Sequence, residues 1–280
     1  MTLFYMIHSL KMTVLADNKA AEPLLSQWGL CVLIEADGKR LLLDTGGGDV
    51  FAQNARLLGI DLSCVDLGVL SHAHYDHGDG LEVFFSENAS APFLLSDKCR
   101  ENCFGLKEGE MKYIGIRRGI MEANSRRLKY VSGVYEVSDG VWIVPHRKKD
   151  YSGIALRNDL YIKSGDEYLP EDFAHEQSLV FETEKGLVLF SSCSHTGFAN
   201  VLLDVKEALG REDVFAFVGG LHLYKLTDDE LFSLSREIEK TGVRHIFTGH
   251  CTGDHAFELL KDRLGDRVQQ FYSGFRYSFL

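Results

Sequence analysis

A layered α/β fold is predicted by two features of the chain. Apolar runs of strand length alternate with segments of helical periodicity, and the alternation occurs once over 30–70 and again over 177–272. In the first half, Leu30 to Glu35 and Lys39 to Leu43 read as strands joined by the turn Ala36-Asp37-Gly38. The loop Asp44-Thr45-Gly46-Gly47-Gly48 follows. Asp49 to Leu58 is then a helix, with Phe51, Ala55 and Leu58 at helical spacing. Val65 to Leu70 is a short buried strand that runs into Ser71-His72.

The second half repeats the pattern. Gln177 to Glu182 and Gly186 to Phe190 form a hairpin-like pair, followed by a helix over Ala199 to Leu209 and a strand over Val214 to Val218. Thr227-Asp228-Asp229-Glu230 is a capping box that opens a helix to about Lys240. Val243 to Thr248 is the next strand, Ala256 to Leu264 the next helix and Val268 to Tyr272 the last strand. We read residues 1–280 as one domain, with a basic insert at about 97–145. Within it, 97–130 carries nine Lys or Arg against five acids, so 9 − 5 leaves a local +4. Two readings of that patch stand side by side: a solvated surface, or a face that receives an anionic substrate.

Composition narrows the function. With 30 basic and 41 acidic residues the net charge is −11, which argues against a nucleic-acid binder. No apolar run is long enough for a membrane span, and Met1 to Leu10 lacks the basic start and cleavage site of a signal peptide. The six cysteines are dispersed, Cys99 and Cys103 included, as in a reduced compartment, and the expected location is cytoplasmic. Because Met12 directly precedes the apolar Thr13-Val14-Leu15-Ala16, the first eleven residues read as a dispensable extension or an artefact of start-site choice.

The chemistry concentrates in Ser71-His72-Ala73-His74-Tyr75-Asp76-His77-Gly78, an H-x-H-x-D-H pattern directly after a strand. Crowded imidazoles would repel once protonated, so packing is a poor explanation for them. Imidazole nitrogen and carboxylate oxygen suit zinc and its first-row neighbours, and four such donors on one loop can serve two ions. Further donors follow three successive strands of the second half: His195 in Ser191-Ser192-Cys193-Ser194-His195, His222 in Gly219-Gly220-Leu221-His222, and His250 in Gly249-His250-Cys251. Strand C-terminal ends are where α/β folds place their sites. The glycine loop after Asp44 lacks the Gly-Lys-Ser/Thr of a phosphate loop. Glu176 is a candidate base, weighed against an ordinary hydrogen-bonded carboxylate.

With these motifs, and with Leu41-Leu42-Leu43-Asp44-Thr45-Gly46 upstream, the chain resembles the metallo-β-lactamase superfamily from about Thr13 to its C-terminus. The segments 192–197, 219–223 and 249–253 resemble a branch of pterin-linked synthase-like proteins. The resemblance implies a four-layer αβ/βα sandwich with two divalent ions between its halves, zinc first and manganese or iron as alternatives. Carried over by position, His72 and His74 would hold the first ion, and Asp76, His77 and His250 the second. Asp44 would support a ligand histidine. Cys193 stands where hydrolytic relatives place a bridging Asp, and is an alternative ligand. For the third histidine of the first ion, loop position favours His195 over His175.

The leading expectation is a hydrolase of a small anionic molecule, using a hydroxide that the metal generates near neutral pH. Asp76 would orient that hydroxide, and His222 would act as acid or contact the substrate. Arg147 and Lys148, beside His146, would bind the substrate's anionic group. A pterin-linked transferase is the alternative. A flavodiiron-like redox role is disfavoured, since those proteins typically carry glutamate where this chain has His74. A binding module with a degenerate site is disfavoured by the near-complete donor set.

Overall fold

Alternating strand positions send apolar side chains to both faces of two seven-stranded sheets, and that double-sided burial dictates the layering. The computed structural model describes residues 6–146 and 149–280. The first sheet runs, edge to edge, Arg276–Ser278, Leu10–Ala16, Cys31–Ala36, Lys39–Leu43, Leu67–Val69, Phe93–Ser96 and Leu128–Val131. The second runs Val268–Gln270, His245–Thr248, Val214–Val218, Gly186–Phe190, Gln177–Thr183, Val141–Pro145 and Tyr135–Ser138. Between them, Val32, Ile34 and Val69 meet Leu179, Phe181 and Phe190 in a central core. On the outer face of the first sheet, Leu33, Leu42 and Phe93 pack against Phe51, Ala55 and Phe84 of the helices Val50–Leu57 and Leu81–Glu87. The outer face of the second, with Val180 and Leu189, receives Val201, Leu231 and Leu260 from Phe198–Leu209, Asp228–Lys240 and Asp254–Leu264. The result is the four-layer αβ/βα sandwich.

The predicted elements sit close to the observed ones. Lys39–Leu43, Gly186–Phe190 and Val214–Val218 coincide, and Thr227 and Glu230 form the capping box, each side chain reaching the other's backbone N–H. The N-terminus differs from expectation. Leu10–Ala16 is a strand between Cys31–Ala36 and Arg276–Ser278, and Ile7, Leu10 and Met12 are buried in the central core. From Ile7 onwards the segment is therefore structural, not a dispensable extension. Its apolar residues read as an extension only when their sheet partners, one of them about 260 residues away, are out of view.

The basic middle stretch is apportioned among three sheets. Leu128–Val131 extends the first sheet, while Tyr135–Ser138 and Val141–Pro145 extend the second. Cys103–Lys107 and Glu110–Tyr113 join Leu160–Ser164 and Glu167–Pro170 in a separate four-stranded sheet. That small sheet stands beside the cleft between the halves. In both large sheets the site-bearing loops follow parallel strands, whose C-terminal ends lie side by side. No helix among the described residues is long and apolar enough to cross a membrane.

Candidate metal centre

The loop after Leu67–Val69 changes conformation midway, and that change divides its donors. His74 is extended (φ −85°, ψ 150°), and Tyr75–Gly78 is a single helical turn carrying Asp76 and His77. Two close approaches require glycine around it. A Cβ on Gly29 (φ +143°) would lie 2.4 Å from the Asp76 carbonyl oxygen, and one on Gly219 (φ +150°) 2.0 Å from that of Ser191.

Donor atoms of His72, His74 and His195 come within 4.8 Å of one another. Each ring has an oxygen behind it. His72 Nδ1–H donates to Ser71 Oγ (2.7 Å), whose own proton goes to Asp44 Oδ2 (2.7 Å). His74 Nε2–H donates to Glu171 (3.2 Å), and His195 Nδ1–H donates to Glu176 Oε1 (2.8 Å). Carboxylates only accept, so these contacts fix the tautomers and leave His74 Nδ1 and His195 Nε2 with free lone pairs. His72 Nε2 is buried with no hydrogen-bond partner among the described residues. Burial, reinforced by the His77, His74 and His195 rings, holds His72 well below the usual histidine range. Burial also lowers His195 to about 4, with Glu176 opposing it in part. For His74 burial acts downward too, but Glu171 outweighs it and the pKa is raised.

Asp76, His77, Cys193 and His250 lie alongside. His77 Nδ1–H donates to Asp44 Oδ2 (2.7 Å), and its Nε2 lies 3.2 Å from both His250 Nε2 and Cys193 Sγ. Asp44 also accepts from Ser71 N and Ser192 Oγ, which ties the two halves of the chain together beneath the site. His250 Nδ1–H donates to Asn18 Oδ1 (3.1 Å), and its Nε2 lies 3.4 Å from Asp76 Oδ2. Burial pulls His250 down, but Asp76, Cys251 and Asp17 together raise it to about 9. Asp76 shows the converse: burial raises it, yet His77 and His250 hold it well below the carboxylate range.

His175 is placed differently. Its Nδ1 accepts the Ala73 N–H (3.2 Å), so the proton sits on Nε2 and is donated to Glu171 (2.7 Å). Neither nitrogen is left to face His72. His222 has both ring nitrogens buried without a partner among the described residues, with its ring 4.5 Å from that of His195. Arg147 and Lys148 lie outside the described residues. His146, expected near an anion, is buried instead, donating to Glu176 Oε2 (2.7 Å) and contacting Ser178 Oγ (2.9 Å). Of the basic middle stretch, Lys107 is the described residue that lines the cavity beside the site. Others are spoken for, as in Lys98–Asp97, Lys112–Glu108 and Arg117–Glu82.

Glu171, Asp17 and Asn18 carry no sequence signal for the site, while Glu176 is the hydrogen-bonded carboxylate weighed against a base, and it anchors His195. These residues have no motif spacing to the histidines they hold; His175 to Glu171, at four residues, is the one local signal. The cavity over the donors measures about 520 Å³ and is lined by Trp28, Asp76, Lys107, Cys193, His222 and His250, among others.

The chain is similar to known proteins of one superfamily. The family model of the metallo-beta-lactamase superfamily matches residues 29–93, which include Asp44 and the H-x-H-x-D-H loop. A 7,8-dihydropterin-6-methyl-4-(beta-D-ribofuranosyl)-aminobenzene-5'-phosphate synthase of Methanocaldococcus jannaschii is 27% identical, over 96% of each chain. The crystal structure of a metal-dependent hydrolase of the beta-lactamase superfamily is 27% identical with a TM-score of 0.79, covering 96% of this chain and 98% of that one. A metallo-beta-lactamase fold protein from Bacillus subtilis, at 12% identity and a TM-score of 0.57, covers 96% of this chain and 99% of its own and shares the fold.

Proposed function

On its similarity to the metallo-β-lactamase superfamily, we propose that the chain is a member of it and a metal-dependent hydrolase of a small anionic molecule, an ester or phosphoester. The observation that carries this reading is the pair of adjoining donor sets under one cavity, with the lone pairs of His72, His74 and His195 left free by the oxygens behind their rings. The donors fit the implied ions. His72, His74 and His195 offer three nitrogens for one, and Asp76, His77, His250 and Cys193 offer oxygen, nitrogen and sulfur for a second. A thiolate in the set favours zinc, with iron next and manganese last. Divalent ions bound there supply a Lewis acid for the substrate's reacting oxygen and bring the pKa of a water towards about 7.

The chain's own residues do the rest. Asp76 orients the attacking water at the cavity floor. As a ligand as well, it is a poor final carrier of the water's proton. That task falls to His222, whose unpaired nitrogens sit beside His195 and can pass a proton to the leaving oxygen. Lys107 at the cavity wall attracts the substrate's negative charge. Chelation followed by reloading tests the proposal. Turnover of bis(p-nitrophenyl) phosphate or of a simple lactone should vanish on chelation, return with zinc, and be absent in His72→Ala. Full activity after chelation would contradict it.

A second reading is favoured by one observation, the similarity to the methanogen synthase over 96% of both chains. Here the same donors would serve a pterin-linked transferase. Incubating the loaded protein with a dihydropterin and an aminobenzene ribotide separates the two readings, because condensation supports the transferase and its absence supports the hydrolase.

A further inference from the structure

Two large aromatic side chains stand at the metal cavity without joining the core. Trp28 is 50% exposed and Tyr224 48% exposed, so neither is placed by apolar burial. Each is nevertheless set against a histidine at the site. The Trp28 ring lies 5.4 Å from that of His250, and the Tyr224 ring 4.7 Å from that of His222. Both line the cavity of about 520 Å³ over the donors. Both also line a neighbouring cavity of about 320 Å³, which reaches Asn18, Lys19 and Asp254. The two rings therefore stand where two spaces adjoin, one over the donors and one bounded by Asn18, Lys19 and Asp254.

Polar side chains would be the ordinary lining for a wet cavity that holds an anion. Aromatic faces there offer what polar groups do not, namely contact area and a π surface for a second flat ring. Such stacking tolerates any ring with a conjugated face. We propose that Trp28 and Tyr224 grip a flat conjugated ring of the substrate where the cavities meet, presenting its reacting group to the donors and its remainder to the neighbouring cavity. The proposal rests on the metal-centre reading only for the direction in which the ring faces. It makes these two residues, rather than the metal ligands, the determinants of which anion is accepted.

Calorimetric titration of the metal-loaded protein tests this with 2-naphthoate and decahydro-2-naphthoate, which share charge and carbon skeleton but differ in flatness. The flat ligand should bind tighter by about tenfold or more. Trp28→Leu and Tyr224→Leu should each remove most of that advantage while leaving the saturated ligand nearly unchanged, and Trp28→Phe should restore part of it. Equal affinity of the two ligands overturns the proposal, as do equal weakening of both by the leucine variants and failure of naphthoate to bind. The ratio of the two affinities reports the aromatic grip, whereas their common change on chelation reports the metal centre. Failure of one is thus distinguishable from failure of the other.

Discussion

Behind His72, His74 and His195 stand fixed oxygens from Ser71, Glu171 and Glu176; His77 and His250 are likewise backed by Asp44 and Asn18, but the inner atoms of Asp76, His77, Cys193 and His250 also contact one another. In the first set the three rings point their free nitrogens at a common centre and keep them unpaired. In the second the donors close up: His77 Nε2 and His250 Nε2 are 3.2 Å apart, a contact that needs a proton between them. The raised pKa of His250 and the depressed one of Asp76 are the electrostatic form of that closure. The first set is organised by the protein around it. The second is backed by Asp44 and Asn18 and closed in front by charges that an incoming cation would replace.

The largest expected consequence concerns Glu176. It accepts from His195 N, His195 Nδ1, His146 Nδ1 and Thr196 N, so one buried carboxylate anchors the whole loop. Glu176→Ala should destabilise the protein by about 3–5 kcal/mol in urea unfolding and weaken the first ion far more than the second. Equal weakening of both ions would erase the distinction between the sets.

Next comes pH. In the metal-free protein His250 titrates at about 9, above its unfolded value of 6.5. The folded state therefore binds more protons between those values, and stability falls as pH rises through that window. The contribution is fully present below about pH 6.5 and lost above about pH 9, worth about 3 kcal/mol. Unfolding of chelated protein at pH 6.5 and 9.5 should show this loss, and Asp76→Asn should reduce it. Metal affinity should move the opposite way, rising with pH as the proton is displaced.

Cys193→Ser should weaken the second ion by at least about 10–100-fold, the range known for lesser contacts, and leave the first in place; equilibrium dialysis against a zinc buffer would show it. The smallest effect belongs to Glu171→Gln. The amide oxygen can still accept from both His74 and His175, as Glu171 Oε1 does, but it carries no charge and the amide nitrogen cannot accept from His74 where Glu171 Oε2 does, so the first ion should weaken by about tenfold. No change there would mean that His74 is positioned by its backbone alone.

How much of this was legible beforehand follows from how local each feature is. The H-x-H-x-D-H loop and the Asp44 loop are contiguous motifs, and His195, His222 and His250 could be placed because each follows a recognisable apolar strand. Glu171, Asn18 and Trp28 reach the site only through the folded chain, from segments with no periodicity to flag them. The strand Leu10–Ala16 was hidden because its partner Arg276–Ser278 lies at the far end of the sequence. In the small sheet, strands such as Glu110–Tyr113 alternate exposed and half-buried residues with little apolar content, so no pattern distinguished them from loop.

The proposed centre would hold two ions in two donor sets, with His195 rather than His175 completing the first. Anomalous diffraction from the zinc-loaded protein, with metal content measured on the same sample, tests it most directly. The account predicts two ions per chain: one among His72, His74 and His195, the other among Asp76, His77, Cys193 and His250. A single ion, or one bound to His175, would contradict it.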